Sequence, residues 1–105
     1  VWVSAADLYF GIVYSGRVIE SLEAAGELAK AVGRVREVEA AARLVDRWLR
    51  ADPETMGEPY RVHKSRELTE YIGFVGPLIV RYNIHHATKT VYVVFPVRVA
   101  RWAGF

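Results

Sequence analysis

A chain of 105 residues with 52 % hydrophobic and 25 % charged content has the size and balance of one globular domain built on a single core. It has no cysteine, which excludes disulfides, cysteine-ligated zinc and thiol catalysis. The net charge of +2 conceals an asymmetry: residues 1–60 carry seven Lys/Arg against ten Asp/Glu, a net of −3, whereas 61–105 carry seven against two, Glu67 and Glu70, a net of +5. All three histidines also fall in the second part. A basic C-terminal portion points to a polyanion or an acidic partner, the alternative being a solvated, Glu-rich helical face in the first part. No succession of basic, apolar and small residues opens the chain, and the longest apolar run, Val91 to Val97, is interrupted by Pro96. It falls far short of the roughly 18–20 residues that a bilayer crossing needs. A soluble cytoplasmic protein with no membrane partner is expected.

Val1 to Asp7 carries no usable pattern and is expected to be a lead-in outside the domain of residues 8–105. Leu8 to Tyr14 is aromatic and β-branched, and predicts a buried strand. Ser15-Gly16 breaks it and caps the helix after it. From Arg17 to Val32 the apolar positions 18, 22, 25, 29 and 32 predict an amphipathic helix, stopped at Gly33. A second helix is predicted from Val35, Val38, Ala42, Val45 and Leu49, with Leu44 and Trp48 beside that face. The acid-first pairs Glu39/Arg43 and Asp46/Arg50 support it by a few tenths of a kcal/mol each. Asp52-Pro53 ends it, and so short a connection makes the two helices an antiparallel hairpin.

Pro53 to Pro59 reads as a turn-rich link. Leu68 to Val75 predicts a strand ending at Gly76-Pro77. Leu78 to Ile84 alternates, with Leu78, Val80, Tyr82 and Ile84 on one side and Ile79, Arg81 and Asn83 on the other. His85 to Lys89 is a polar hairpin loop, and Thr90 to Val99 a strand in which Pro96 demands a bulge or an edge. The expected fold is α+β, in β-α-α-β-β-β order, with the helical hairpin packed on one face of a small, mostly antiparallel sheet. The other face is left free for a basic groove.

This layout resembles the RelE/ParE superfamily of toxins. The residues that carry the likeness are LYFGIVYS at 8–15, LRADPETMGEPY at 49–60, GPLIVRYNI at 76–84 and VYVVFPVR at 91–98. The resemblance implies the toxin of a type II toxin–antitoxin pair, neutralised by a cognate antitoxin and held in a homodimer or a toxin–antitoxin heterocomplex. RelE-like members cut mRNA on the ribosome without a metal, whereas ParE-like members look similar and inhibit DNA gyrase. A degenerate relative that keeps only antitoxin binding is a third reading.

Metal-free cleavage needs the 2′-hydroxyl activated, the phosphate's charge stabilised and the leaving oxygen protonated. In such a toxin the catalytic candidates are Arg98, Arg81 and Lys64, with His63 as a base able to titrate near neutral pH. Arg98 stands where the family places a basic residue. The nucleic-acid-binding candidates are Arg61 and Arg66, which share a short basic cluster with His63 and Lys64, and Arg101 with Trp102, a guanidinium beside an indole. Each has a plain alternative: the cluster a solvated loop, Arg81 an ion pair with Glu70 across the sheet, Trp102 a cover for the core edge. Strand 68–75 carries no lysine and the C-terminus offers Trp102 and Phe105 rather than a tyrosine, features that favour the gyrase reading. His85-His86 reads as a hairpin tip rather than a metal pair, and neither metal nor cofactor is expected.

Overall fold

A computed structural model describes residues 9–100 and Gly104. The expected lead-in 1–7, the start of the first strand at Leu8, and the candidates Arg101 and Trp102 lie outside the described residues. Strand β1 (Gly11–Tyr14) is followed by α1 (Gly16–Ala31), α2 (Val35–Ala51) and the short α3 (Pro53–Met56). Then come β2 (Gly57–His63), β3 (Leu68–Val75), β4 (Leu78–His85), β5 (Thr90–Val93) and β6 (Arg98–Val99). The sheet order is β1-β5-β4-β3-β2, with β6 pairing β4 beside β5. All pairings are antiparallel except β1 with β5. The architecture is the expected α+β one, with the helical hairpin on one sheet face.

Both helices form where the apolar period places them. Ser15 caps α1, its side chain accepting from the Val18 amide at 3.4 Å, and Gly33 takes φ +70 at the stop, a conformation that glycine adopts without strain. Val18, Ala25 and Ala29 of α1 and Val38, Ala41, Val45 and Leu49 of α2 are buried. Small alanines let the helices sit close to each other and to the sheet. Val32, expected on the buried stripe, is exposed past the end of α1, and Leu44 is likewise exposed.

The first strand, expected to be buried, is an edge strand with Gly11 and Val13 exposed, and two further expectations are corrected. The link at 53–59 is structured: Pro53 starts the helical turn α3, a position where its missing N–H costs nothing, and Gly57 opens β2. A side chain at Gly57 would sit 2.5 Å from the Ile72 carbonyl oxygen and 2.8 Å from the Tyr82 hydroxyl, so only glycine allows the chain this close. Pro59 fits within β2 because β2 is an edge strand. The second correction concerns 90–99, which is two strands rather than one. The chain leaves the ladder after Val93, arches through Val94–Val97 and returns as β6 beside Leu78 and Ile79. Pro96 lies in the arch, and the Val97 amide donates to the Ser21 hydroxyl of α1 at 2.8 Å, which fixes the arch to the helical layer.

Register sorts the sheet's side chains. Toward the helices point Tyr71, Leu78, Val80, Tyr82, Ile84, Val91 and Val93, all buried. Tyr82 is fully buried, stacks on Tyr71 with ring centroids 5.4 Å apart, and donates to the Pro53 carbonyl at 2.5 Å. Burial pushes its phenol well above the ordinary range. At the sheet's other side the Tyr14 hydroxyl donates to Asp46 at 2.6 Å, and Arg50 donates to the same carboxylate at 2.9 Å.

Replacing Tyr82 by Phe leaves the Pro53 carbonyl buried without its donor, and should destabilise the fold by about 1–3 kcal/mol in urea unfolding. A loss below about 0.5 kcal/mol would show that this bond contributes little. Asp46 is held below the ordinary carboxylate range by its bond to Arg50, with Tyr14 adding to it and burial opposing. A depressed folded-state pKa gives stability that is complete above the unfolded value of about 3.9 and is lost as pH falls through the folded value. Asp46→Asn should therefore flatten the acid limb of the stability–pH curve, and an unchanged limb would rule the pair out as its source.

Candidate nucleic-acid interface

The face of the sheet turned away from the helices is set by the same register. Arg98 of β6 stands beside Ile79, which faces Phe74. One row along β4, Arg81 faces Ile72, which faces Glu58. In the next row Tyr92, Asn83, Glu70 and Arg61 lie side by side across four strands. In the last, Thr90, His85, Leu68 and His63 do so. Alternation puts these side chains on one surface.

Arg81 is the best-anchored cation on it. Its guanidinium donates to Glu70 at 3.3 Å, lies 3.9 Å from the centroid of the Phe95 ring and 5.7 Å from that of Tyr60. Such guanidinium–aromatic contacts are attractive. Tyr60 comes within reach because the β2–β3 register shifts between Pro59 and Arg61, leaving Tyr60 in a bulge. Phe95 comes within reach because the 94–97 arch carries it there. Arg61 shares the Tyr60 ring, at 5.6 Å. Glu70 is almost wholly buried, with 5 % of its side chain exposed, against 38 % for Arg81. Beside it, the Asn83 carbonyl oxygen Oδ1 is buried with no hydrogen-bond partner among the described residues. Arg98 and Arg61 are exposed, as are the aromatic rings of Tyr60 and Phe74.

The candidate residues fall into two groups. Arg81 and Arg98 are neighbours at one end of the face, Arg98 flanking the residue two before Arg81, about 7 Å along the strand. His63 lies in the row of His85, six residues along β4 from the row of Arg98, a separation of about 20 Å. Lys64 and Arg66 lie beyond it, exposed in the turn Lys64–Arg66. Four groups so spread cannot all meet one phosphate. The cross-strand ion pair Arg81–Glu70, one of the two readings open at the sequence level, forms. His85 and His86 belong to the hairpin tip: His85 contacts the Thr88 hydroxyl at 2.7 Å and Glu67 at 3.6 Å, and His86 contacts Glu54 at 3.3 Å. Among the described residues no group of three or more His, Asp or Glu is placed to hold a metal ion.

Sequence reasoning missed Tyr60 and Phe95. Tyr60 stood at the end of an apparent link, and Phe95 inside an apparently continuous strand. Pro96 was the available signal for Phe95, since a proline there forces the chain off the ladder.

This arrangement can grip an extended polyanion. Exposed arginines at both margins reach phosphates as bidentate donors, exposed rings offer stacking surfaces for bases, and Arg81, paired with Glu70, holds its half-exposed guanidinium in a fixed position that need not reorganise on binding. Comparison with known protein families and with characterised proteins finds no match to this chain, so its fold and surface chemistry carry the functional reading.

Arg81→Ala should destabilise the protein by about 1–3 kcal/mol, because Glu70 would keep its buried charge without a partner. Adding Glu70→Gln should return most of that loss in urea unfolding. If the double variant is no more stable than the single one, the pair is not what holds this part of the face.

Proposed function

We propose that this chain is the toxin of a type II toxin–antitoxin pair, acting in the cytoplasm, and that its open sheet face binds and cuts mRNA on the ribosome without a metal. The observation that carries the reading is that face itself: three arginines, Arg61, Arg81 and Arg98, interleaved with Tyr60, Phe74 and Phe95 on the side that the helical hairpin leaves uncovered. Arg98 and Arg81 flank the scissile phosphate and stabilise its developing charge. His63, Lys64 and Arg66, about 20 Å away, hold the strand further along rather than share the chemistry. The antitoxin is an acidic or mixed-charge segment that covers the face and neutralises it. Among the described residues no helix is long and apolar enough to cross a membrane.

A second reading, inhibition of DNA gyrase by protein contact, is favoured by two observations. Glu70 already neutralises Arg81, and the histidine stands too far from Arg98 to serve the same phosphate.

Primer extension on a translating mRNA, with and without the purified protein, separates the two. Discrete cuts that vanish when ribosomes are omitted are expected, and Arg98→Ala should reduce them about 100-fold while leaving thermal unfolding unchanged. A folded Arg98→Ala protein that cuts normally would remove Arg98 from the chemistry. No cuts, together with loss of gyrase supercoiling at excess protein, would replace the RNA reading with the gyrase one.

A further inference from the structure

The sheet has two free edges among the described residues, and they are built differently. At one, β2 carries Pro59, the bulge at Tyr60 and the charges of Glu58 and Arg61. Proline, bulges and charge are what keep an edge strand from pairing with another chain. At the other, β1 has none of them. Tyr9 to Gly16 holds no charged residue and no proline, and β1 runs beside β5 without a register shift. The Gly11 and Ser15 amides donate inward, to the Lys89 and Val93 carbonyls at 2.9 and 3.0 Å. Ile12 and Tyr14, between them, turn their N–H and C=O the other way, to the free edge. Neither β1 nor β5 carries a charged side chain, and Val13, on the open face, is 48 % exposed. On the helical side, the Asp46 carboxylate that Tyr14 contacts is already paired with Arg50.

We propose that the β1 edge is an interface for a second copy of this chain, the two β1 strands pairing antiparallel about a two-fold axis at Val13. The occupant follows from the chemistry of the edge. A polyanion or an acidic segment finds no cation on this strand, whereas a copy of the same strand matches it group for group. Setting Ile12 against Tyr14 of the second copy, and Tyr14 against Ile12 of the second copy, brings every outward N–H to an outward C=O. The axis then sets Val13 against its own counterpart in a pair without hydrogen bonds, where Cα atoms approach to about 4.5 Å. Apolar β-branched side chains stabilise such a pair, and like charges would oppose it; Tyr9 to Gly16 supplies none. A self-complementary patch of this kind gives a closed dimer rather than a filament. The two open faces join into one surface, uncharged in the middle, with the arginines toward both ends. Such a dimer forms whether the open face cuts RNA or binds a protein.

The chain has no cysteine, so Val13→Cys introduces a single thiol at the axis, with a Cα separation of about 4.5 Å that a disulfide spans without strain. Mild oxidation of the full-length variant should convert most of it to a covalent dimer on non-reducing gels. Val62→Cys, exposed on the opposite edge strand, should stay monomeric. In sedimentation velocity the wild-type chain should be a dimer that dissociates on dilution. Val13→Lys and Val13→Glu should each weaken it more than about 10-fold, and mixing the two variants in equal amounts should restore it, because only a two-fold axis at this residue brings opposite charges together. A wild-type chain that is monomeric throughout would overturn the proposal and leave the edge to a strand of another protein. So would a dimer untouched by Val13→Lys, a mixture that stays monomeric while both variants fold, or cross-linking of Val62→Cys as complete as that of Val13→Cys. Should either charged variant fail to fold, the cross-linking comparison decides alone.

Discussion

The bond from the Tyr82 hydroxyl to the Pro53 carbonyl joins the middle of the sheet to the place where the helical half of the chain becomes the stranded half. Tyr82 is central in its strand, fully buried, and stacked on Tyr71 of the neighbouring strand. A hydroxyl buried there has to be paired, and the partner it finds is the Pro53 carbonyl at the α2–α3 corner. The corner is thereby held against the sheet, and Gly57, immediately after it, passes too close to Ile72 and Tyr82 for any side chain. The line of β2 along the sheet edge follows from this constraint. So does the position of Tyr60 and Arg61 on the open face.

A second anchor works from the other end of the chain. Ser21 of α1 holds the Val97 amide, and the arch that this creates sends Val97 into the core and Phe95 to the opposite side, over Arg81. A serine in the helical layer thus helps determine how a guanidinium on the far face is presented. Arg81 is fixed from three directions, by a carboxylate and two rings that come from three different strands or turns. Fixed charge of this kind suits recognition, because little side-chain entropy remains to be lost on binding.

The parts of this fold that could be read from the sequence are those governed by one period. The helices follow steps of three and four, and β4 follows strict alternation, so their buried faces were legible, apart from the exposed Val32 and the exchange of Ala42 for Ala41 on the buried side of α2. The strand β2 was not legible, because Gly57 and Pro59 give it the composition of a turn. Both residues are explained only by neighbours distant in sequence: Ile72 and Tyr82 for the glycine, the free sheet edge for the proline. The same applies to the candidate site. The basic cluster at 61–66 is contiguous in sequence, but the strand end at His63 divides it between the sheet face and a turn. Arg81 and Arg98, far apart in sequence, become neighbours through β6, a pairing of two residues that no local pattern announces.

The parallel pairing of β1 with β5 has a temporal consequence. Gly11 to Tyr14 lies against Thr90 to Val93, partners 79 positions apart, and β1 pairs with no other strand among the described residues. During synthesis from the N-terminus, the first strand and the helical hairpin emerge long before the strand that completes their layer. Non-local closure of this kind is slow and entropically costly, so the β1 edge of the sheet closes only once nearly all of the described chain has left the ribosome.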